Sequence, residues 1–269
     1  MAVLKNIIFS GGAFKGWAHI GAIRALNEKI DFKHIQQVVG VSIGSVFALF
    51  YLLTIDHNTI LNYFLNMDIK KYFDIDLDSV IINESLLQGN TFREIILSIS
   101  GLKESTTFLE LYQLTGKFFT TCAFNVSKVR LEYFNLNLTP ETRVIDAIMA
   151  SSALPVLFPA YNINGDYYYD GGICNNCPCN LVDKTTSIAF RVTAGYRESE
   201  YKLLNLISSL TTLLNGLFVE DNSIIYNIID EKWVNETYNI NQSRDTIFNI
   251  YFNGYNNTLK VISLFLEKV

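Results

Sequence analysis

From Ile35 to Ile55 the chain carries no charged residue, a length sufficient for a helix to span a bilayer. Yet the run is broken at its centre by Gly40-Val41-Ser42-Ile43-Gly44-Ser45. Small, turn-forming residues there suit a strand that enters a tight turn and leaves as a buried helix. A strand over Val38–Val41 and a helix from Ile43 to about Thr54 therefore replace a spanning segment.

The same pattern recurs upstream. Val3–Phe9 is a short apolar, β-branched run, and Ser10-Gly11-Gly12 follows it. A helix with apolar periodicity then extends from Gly16 to Glu28. The run carries Lys5 and ends without a small-residue cleavage site, so it reads as a buried strand and not as a secretory signal. Strand, glycine turn, helix, strand, turn, helix is the order of a parallel α/β sheet. No repeat, low-complexity tract or Pro/Ser-rich linker divides the 269 residues. The expected architecture is one α/β domain over 1–269, a three-layer sandwich around a mainly parallel sheet.

Further along, Lys117–Val126 and Val129–Leu136 read as strands. Thr139-Pro140 reads as a helix start leading to Ala153, and Asn164-Gly165 as a hairpin turn. Residues 66–105 are polar and mixed, and read as a lid or cap. Apolar spacing predicts a core-facing helix from about Leu203 to Phe218.

Composition narrows the function. Hydrophobic residues are 49% of the chain and charged residues 17%, against about 25% charged in an average soluble domain; mean hydropathy is +0.21. The net charge of −5, from 21 basic and 26 acidic residues, argues against nucleic acid and against a polybasic lipid anchor. Four cysteines are present, and Cys174, Cys177 and Cys179 are clustered while Cys122 stands apart. A single C-x-x-C with its histidines far upstream is a poor zinc site. The expectation is reduced, partly buried thiols and no metal.

Gly40-x-Ser42-x-Gly44, between an apolar strand and a helix, is the nucleophile-elbow pattern, which lifts a serine hydroxyl clear of the sheet at a helix N-terminus. No histidine follows His57, which excludes a triad in the order Ser, acid, His. The remaining base is a carboxylate taking the serine proton itself. Asp170, before Gly171-Gly172, is the best placed, with Asp166 and Asp183 as competitors; taken alone, Asp-Gly-Gly reads slightly better as a surface turn. The loop Ser10 to Gly16 exposes backbone amides that suit a phosphate or an oxyanion. It fits neither the Walker loop nor G-x-G-x-x-G, and the serine elbow one strand later favours the oxyanion.

Phe9 to Asn27 (Phe-Ser-Gly-Gly-Ala-Phe-Lys-Gly-Trp-Ala-His-Ile-Gly-Ala-Ile-Arg-Ala-Leu-Asn) resembles the opening of the patatin-like phospholipases. Gly40-Val-Ser42-Ile-Gly44, the segment Ala150 to Pro159, and Asp170-Gly171-Gly172 with Asn175-Asn176 resemble further motifs of that family in the same order. Together they cover about residues 7–180; no family motif is recognised in 193–269. The resemblance implies a Ser–Asp dyad, with Ser42 as nucleophile and Asp170 as base. It also implies an oxyanion hole from the amides of Gly11, Gly12 and Ala13, joined by that of Ile43. Lys15 stands at the family's basic position, meeting a lipid head group or only packing, while His19 belongs to the first helix as a structural residue. Ala13 departs from the family's third glycine, so a positive φ there would be strained. The cysteine cluster lies where the family has small and apolar residues.

The implied function is a cofactor-free lipid acyl hydrolase that cleaves fatty-acyl esters of phospholipids and other glycerolipids through an acyl-enzyme. A neutral-lipid lipase, a thioesterase and a non-catalytic lipid-binding effector are the alternatives. It would be cytoplasmic and peripheral at membranes, meeting its lipid substrate at the bilayer surface through apolar contacts; a protein activator is left open. A dyad without histidine also predicts a pH–rate profile without a limb near 6.5.

Overall fold

A computed structural model describes residues 3–67, 89–192, 222–239 and 242–267. In chain order the main elements are β1 (Asn6–Phe9), α1 (Trp17–Lys29), β2 (Gln37–Gly40), α2 (Ile43–Leu52), α3 (His57–Asn66), α4 (Asn90–Ser100), α5 (Phe108–Thr115), β3 (Phe118–Asn125) and β4 (Arg130–Asn135). They continue with α6 (Val144–Ser151), β5 (Tyr161–Ile163), β6 (Asp166–Asp170), β7 (Ser187–Arg191), β8 (Ile225–Asn227) and α7 (Arg244–Glu267).

The described strands form one eight-stranded mixed sheet in the order β5-β6-β3-β2-β1-β7-β8, with β4 also on β3. β1, β2, β7, β8 and the start of β3 run parallel. β4, β5 and β6 add antiparallel pairs at one side. Side chains alternate across a strand, and both faces here are apolar. Ile7, Phe9, Val38, Ile188 and Phe190 point into the large helical core, whereas Ile8, Val39 and Ala189 meet Cys177, Cys179 and Ile224 on the opposite face. Burial on both faces explains why these strands read as continuous apolar runs rather than alternating ones.

On the helical side α1 packs along α7 at backbone distance. A Cβ on Gly21 would lie 2.1 Å from the carbonyl oxygen of Tyr251, and one on Gly254 2.2 Å from that of Ala18. Only glycine admits this approach.

The predicted β1, α1, β2, α2, β3 and β4 form within a few residues of their expected ends. The Asn164-Gly165 hairpin joins β5 to β6, with φ of 53° and 92° at its two residues. The helix expected from Thr139 begins instead after Arg143. Thr139 closes the end of β4, its hydroxyl accepting the Asn135 N–H, and its own N–H donates to the Asn135 carbonyl. Arg143 is held extended by a bridge to Thr107, and Val144 N–H donates to Thr106. These long-range bonds override the local Thr-Pro signal. Of the lid or cap reading over 66–105, residues 68–88 lie outside the described residues. The remainder includes α4, which buries Ile95, Ile96 and Ile99 in the core. The helix expected over 203–218 lies outside the described residues.

Candidate active site

β2 ends at Gly40 and the chain turns sharply into α2. Ser42 sits at the apex with φ 54° and ψ −134°, a conformation that costs a non-glycine residue about 1–3 kcal/mol. Its two flanking glycines are required by space. A Cβ on Gly40 would lie 2.4 Å from Ser45 Cα, and one on Gly44 2.3 Å from the Phe9 carbonyl oxygen. Further down the turn, the Ser42 carbonyl accepts from the Ser45 hydroxyl at 2.6 Å and from the Ser45 N–H at 2.8 Å.

Register brings Asp170 to this serine. β4 occupies one edge of β3 over Thr120–Asn125, so β2 and β6 share the other. β2 pairs with Phe118–Thr120 running parallel; β6 pairs with Ala123–Asn125 running antiparallel. Their C-terminal ends therefore meet head to head, one delivering Ser42 and the other Asp170. The Ser42 hydroxyl donates to Asp170 Oδ2 at 2.5 Å. The other carboxylate oxygen accepts the Gly172 N–H at 2.7 Å. Asp170 is buried, and its pKa is pushed up to about 7 by desolvation, against which the two hydrogen bonds act. No basic side chain among the described residues pairs with it.

The glycine loop lies against the elbow, since a Cβ on Gly11 would be 2.9 Å from Ser42 Cβ. Ser10 anchors it. The Ser10 N–H donates to Phe190, its hydroxyl accepts from Val192 N–H, and its carbonyl accepts from His19 Nε2 at 2.9 Å. His19 is fully buried with its pKa lowered to about 4 by desolvation, so it is neutral and donates through Nε2. It packs edge-on to Phe9 and makes no hydrogen bond to Ser42 or Asp170 among the described residues. The backbone N–H groups of Gly11, Gly12, Ala13 and Ile43 make no hydrogen bond among the described residues, and so keep their capacity to donate. Ala13 has φ 47°, the strained conformation expected from its departure from glycine. Lys15 lies in a 3-10 turn over Ala13–Gly16, is 2% exposed and makes no ion pair among the described residues. Burial lowers its pKa to about 8.

The competing carboxylates are elsewhere. Asp166 pairs with Lys128, and Asp183 caps a turn through Thr185. All four cysteines are buried. Cys122 and Cys174 are raised above the usual thiol range by burial. Among the described residues no group of three or more His, Cys, Asp or Glu side chains is placed to hold a metal ion. Ser10 and Ser151 lie inside the glycine-loop and 150–159 motifs, but nothing in local spacing marks a role for either. The Ser151 hydroxyl accepts the Ser42 N–H at 2.9 Å, a contact between residues far apart in sequence that no local spacing announces.

A family model described as patatin-like phospholipase matches residues 7–183, a span that contains the elbow, the loop and Asp170. The chain belongs to the patatin-like phospholipase family. It is 28% identical over 191 residues to the probable lipid hydrolase 463L of Invertebrate iridescent virus 6, a match covering 67% of this chain and 63% of that relative's length. It is also 28% identical over 218 residues to the uncharacterized protein R571 of Acanthamoeba polyphaga mimivirus, covering 73% and 68% of the two chains. Among solved structures, VipD from Legionella pneumophila superposes with a TM-score of 0.71 at 17% identity, covering 97% of this chain and 67% of that one. That last likeness is one of fold.

Proposed function

We propose that this protein is a lipid acyl hydrolase using Ser42 as nucleophile and Asp170 as its base. The observation that carries this reading is the 2.5 Å hydrogen bond from the Ser42 hydroxyl to Asp170, in a chain with no histidine beyond His57. A carboxylate whose pKa lies at about 7 is a stronger base than an ordinary one, and near neutral pH a large share of it is ionised.

Ser42 Oγ attacks the acyl carbonyl carbon as its proton passes to Asp170. The carbonyl oxygen becomes an oxyanion, held by the N–H groups of Gly11, Gly12 and Ala13, with Ile43 at the positive end of α2. The tetrahedral intermediate collapses by expelling the lipid alcohol, which takes the proton from Asp170. Water, deprotonated by Asp170, then attacks the acyl-serine; the second tetrahedral intermediate collapses by expelling Ser42 Oγ, which takes the proton back from Asp170 as the fatty acid is released. No step calls for a metal or an organic cofactor.

The substrate class is inferred from the family and from the relative described as a probable lipid hydrolase: glycerolipids, phospholipids included, met at a bilayer surface. No helix among the described residues is long and apolar enough to cross a membrane, in keeping with peripheral contact. The test is a fluorophosphonate probe with a mixed lipid extract, products being read by mass spectrometry. Wild type should be labelled and release fatty acid, whereas Ser42→Ala should do neither while remaining folded. An active Ser42→Ala would end the assignment.

A further inference from the structure

We infer that Ser151 is a positioning residue for the nucleophile, and that the last turn of α6 sets the spacing of the whole dyad; the inference rests on the proposed hydrolase reading. Two bonds carry it. The Ser151 hydroxyl accepts the Ser42 N–H at 2.9 Å, and two residues on, the Ala153 carbonyl accepts the Asp170 N–H at 2.9 Å. One short stretch of chain thus holds the backbone of both reacting residues.

Ser42 needs such a hold. Its φ of 54° is unfavourable for a side-chain-bearing residue, and its N–H precedes the first helical turn of α2, where no intrahelical acceptor exists. The other bonds at the elbow hold the Ser42 carbonyl, its hydroxyl and the flanking Val41 and Gly44 amides; the Ser151 bond is the one that holds the Ser42 N–H. Ser151 is itself immobilised, being fully buried at the end of α6. That helix is tied down through Asp146, which binds Arg143 and Tyr161 and is reached by Arg93 from α4. Beyond Ser151 the helix stops, with the Leu154 N–H turned back to the Ser152 carbonyl and Pro155 following. This stop presents the Ala153 carbonyl sideways to β6.

The adjacent Ser152 supplies an internal control. It is also buried, yet its hydroxyl has no hydrogen-bond partner among the described residues. Two buried serines at one helix end therefore differ in their contact with Ser42, which Ser151 makes and the Ser152 hydroxyl does not.

Wild type, Ser151→Ala, Ser151→Thr and Ser152→Ala are compared for lipid hydrolysis, fluorophosphonate labelling rate and hydrogen exchange at the Ser42 amide. Misplacing a nucleophile by about 1 Å costs on the order of a hundredfold. Ser151→Ala should lose about 10- to 100-fold in kcat and in labelling rate, with KM little changed and Ser42 N–H exchanging faster. Ser152→Ala should match wild type in all three, and Ser151→Thr, which keeps the acceptor oxygen, should recover most of the lost rate. Unchanged exchange at Ser42 in Ser151→Ala would overturn the inference, as would a labelling loss equal to that in Ser152→Ala. A wild type that neither labels nor hydrolyses would refute the hydrolase reading instead, and the exchange measurement would still decide whether Ser151 holds the elbow.

Discussion

Replacing Asp170 by Asn should abolish hydrolysis and, above neutral pH, make the protein more stable. Asp170 titrates at about 7 in the fold against an ordinary 3.8, because burial disfavours its charged form. The folded state therefore holds this proton more tightly than the unfolded chain does. Below pH 3.8 both states are protonated and the group costs nothing. Between about 4 and 7 stability falls as pH rises, and above 7 the penalty is constant. About three units at 1.36 kcal/mol each give about 4 kcal/mol. The substituted asparagine would keep an oxygen for the Gly172 N–H and could donate one N–H to Ser42, but its second N–H would be buried without a partner, which costs about 1–3 kcal/mol. The net gain at about pH 8–9 is about 1–3 kcal/mol, or about 3–10 °C in Tm for a chain of this size. Thermal unfolding of wild type and Asp170→Asn from about pH 4 to 9 reads this directly, since groups common to both cancel in the difference. The Tm difference should be near zero or negative at about pH 4, climb to about pH 7 and then level. A difference that does not vary with pH would show that Asp170 is not a buried, destabilising charge, and the base assignment would lose its physical ground.

The same carboxylate alters the expected pH–rate profile: activity should rise through a limb near pH 7 that belongs to Asp170, in place of the featureless region expected from the missing histidine, and the limb should persist in a His19→Gln variant. His19, held neutral with its pKa lowered to about 4, works in the opposite direction. It contributes stability that is present above about pH 6.5 and lost as pH falls toward about 4, by about 3 kcal/mol; in urea titrations the difference in unfolding free energy between wild type and His19→Gln should shift toward the variant by about 2–3 kcal/mol from about pH 7.5 to 4.5, the Asp170 contribution being common to both. Ala13→Gly relieves a left-handed alanine worth about 1–2 kcal/mol but returns about 0.4–1 kcal/mol of unfolded-chain entropy, so stability should rise by no more than about 1.5 kcal/mol, with labelling by fluorophosphonate retained. Binding to liposomes should weaken little in about 1 M salt, where the Debye length is about 3 Å; strong salt sensitivity would place the interface on a charged surface instead.

Much of this protein was legible in its residue order because its strongest signals are local. An uncharged run broken by Gly40-x-Ser42-x-Gly44 can bury both ends only as strand and helix, and the glycines are those whose Cβ would strike Ser45 or the Phe9 carbonyl. The glycine loop announced amides free to donate, and Ala13 announced its own strain, because φ preferences belong to single residues. The lack of a histidine pointed to a carboxylate as the proposed base, and the Asp170-Gly171-Gly172 motif already favoured Asp170 over Asp166 and Asp183. Its contact with Ser42 came from the sheet: β2 and β6 share one edge of β3 and meet end to end, a register that no spacing along the chain encodes. The false helix start at Thr139 has the same origin, since its polar groups are claimed by β4 and the extended entry at Arg143 by Thr107. Local sequence thus determined which backbone conformations were accessible, whereas tertiary structure decided which side chains lost their water. Burial, a property of the assembled core, raised Asp170 toward neutrality, and Ser151 reaches Ser42 only because α6 ends against the elbow.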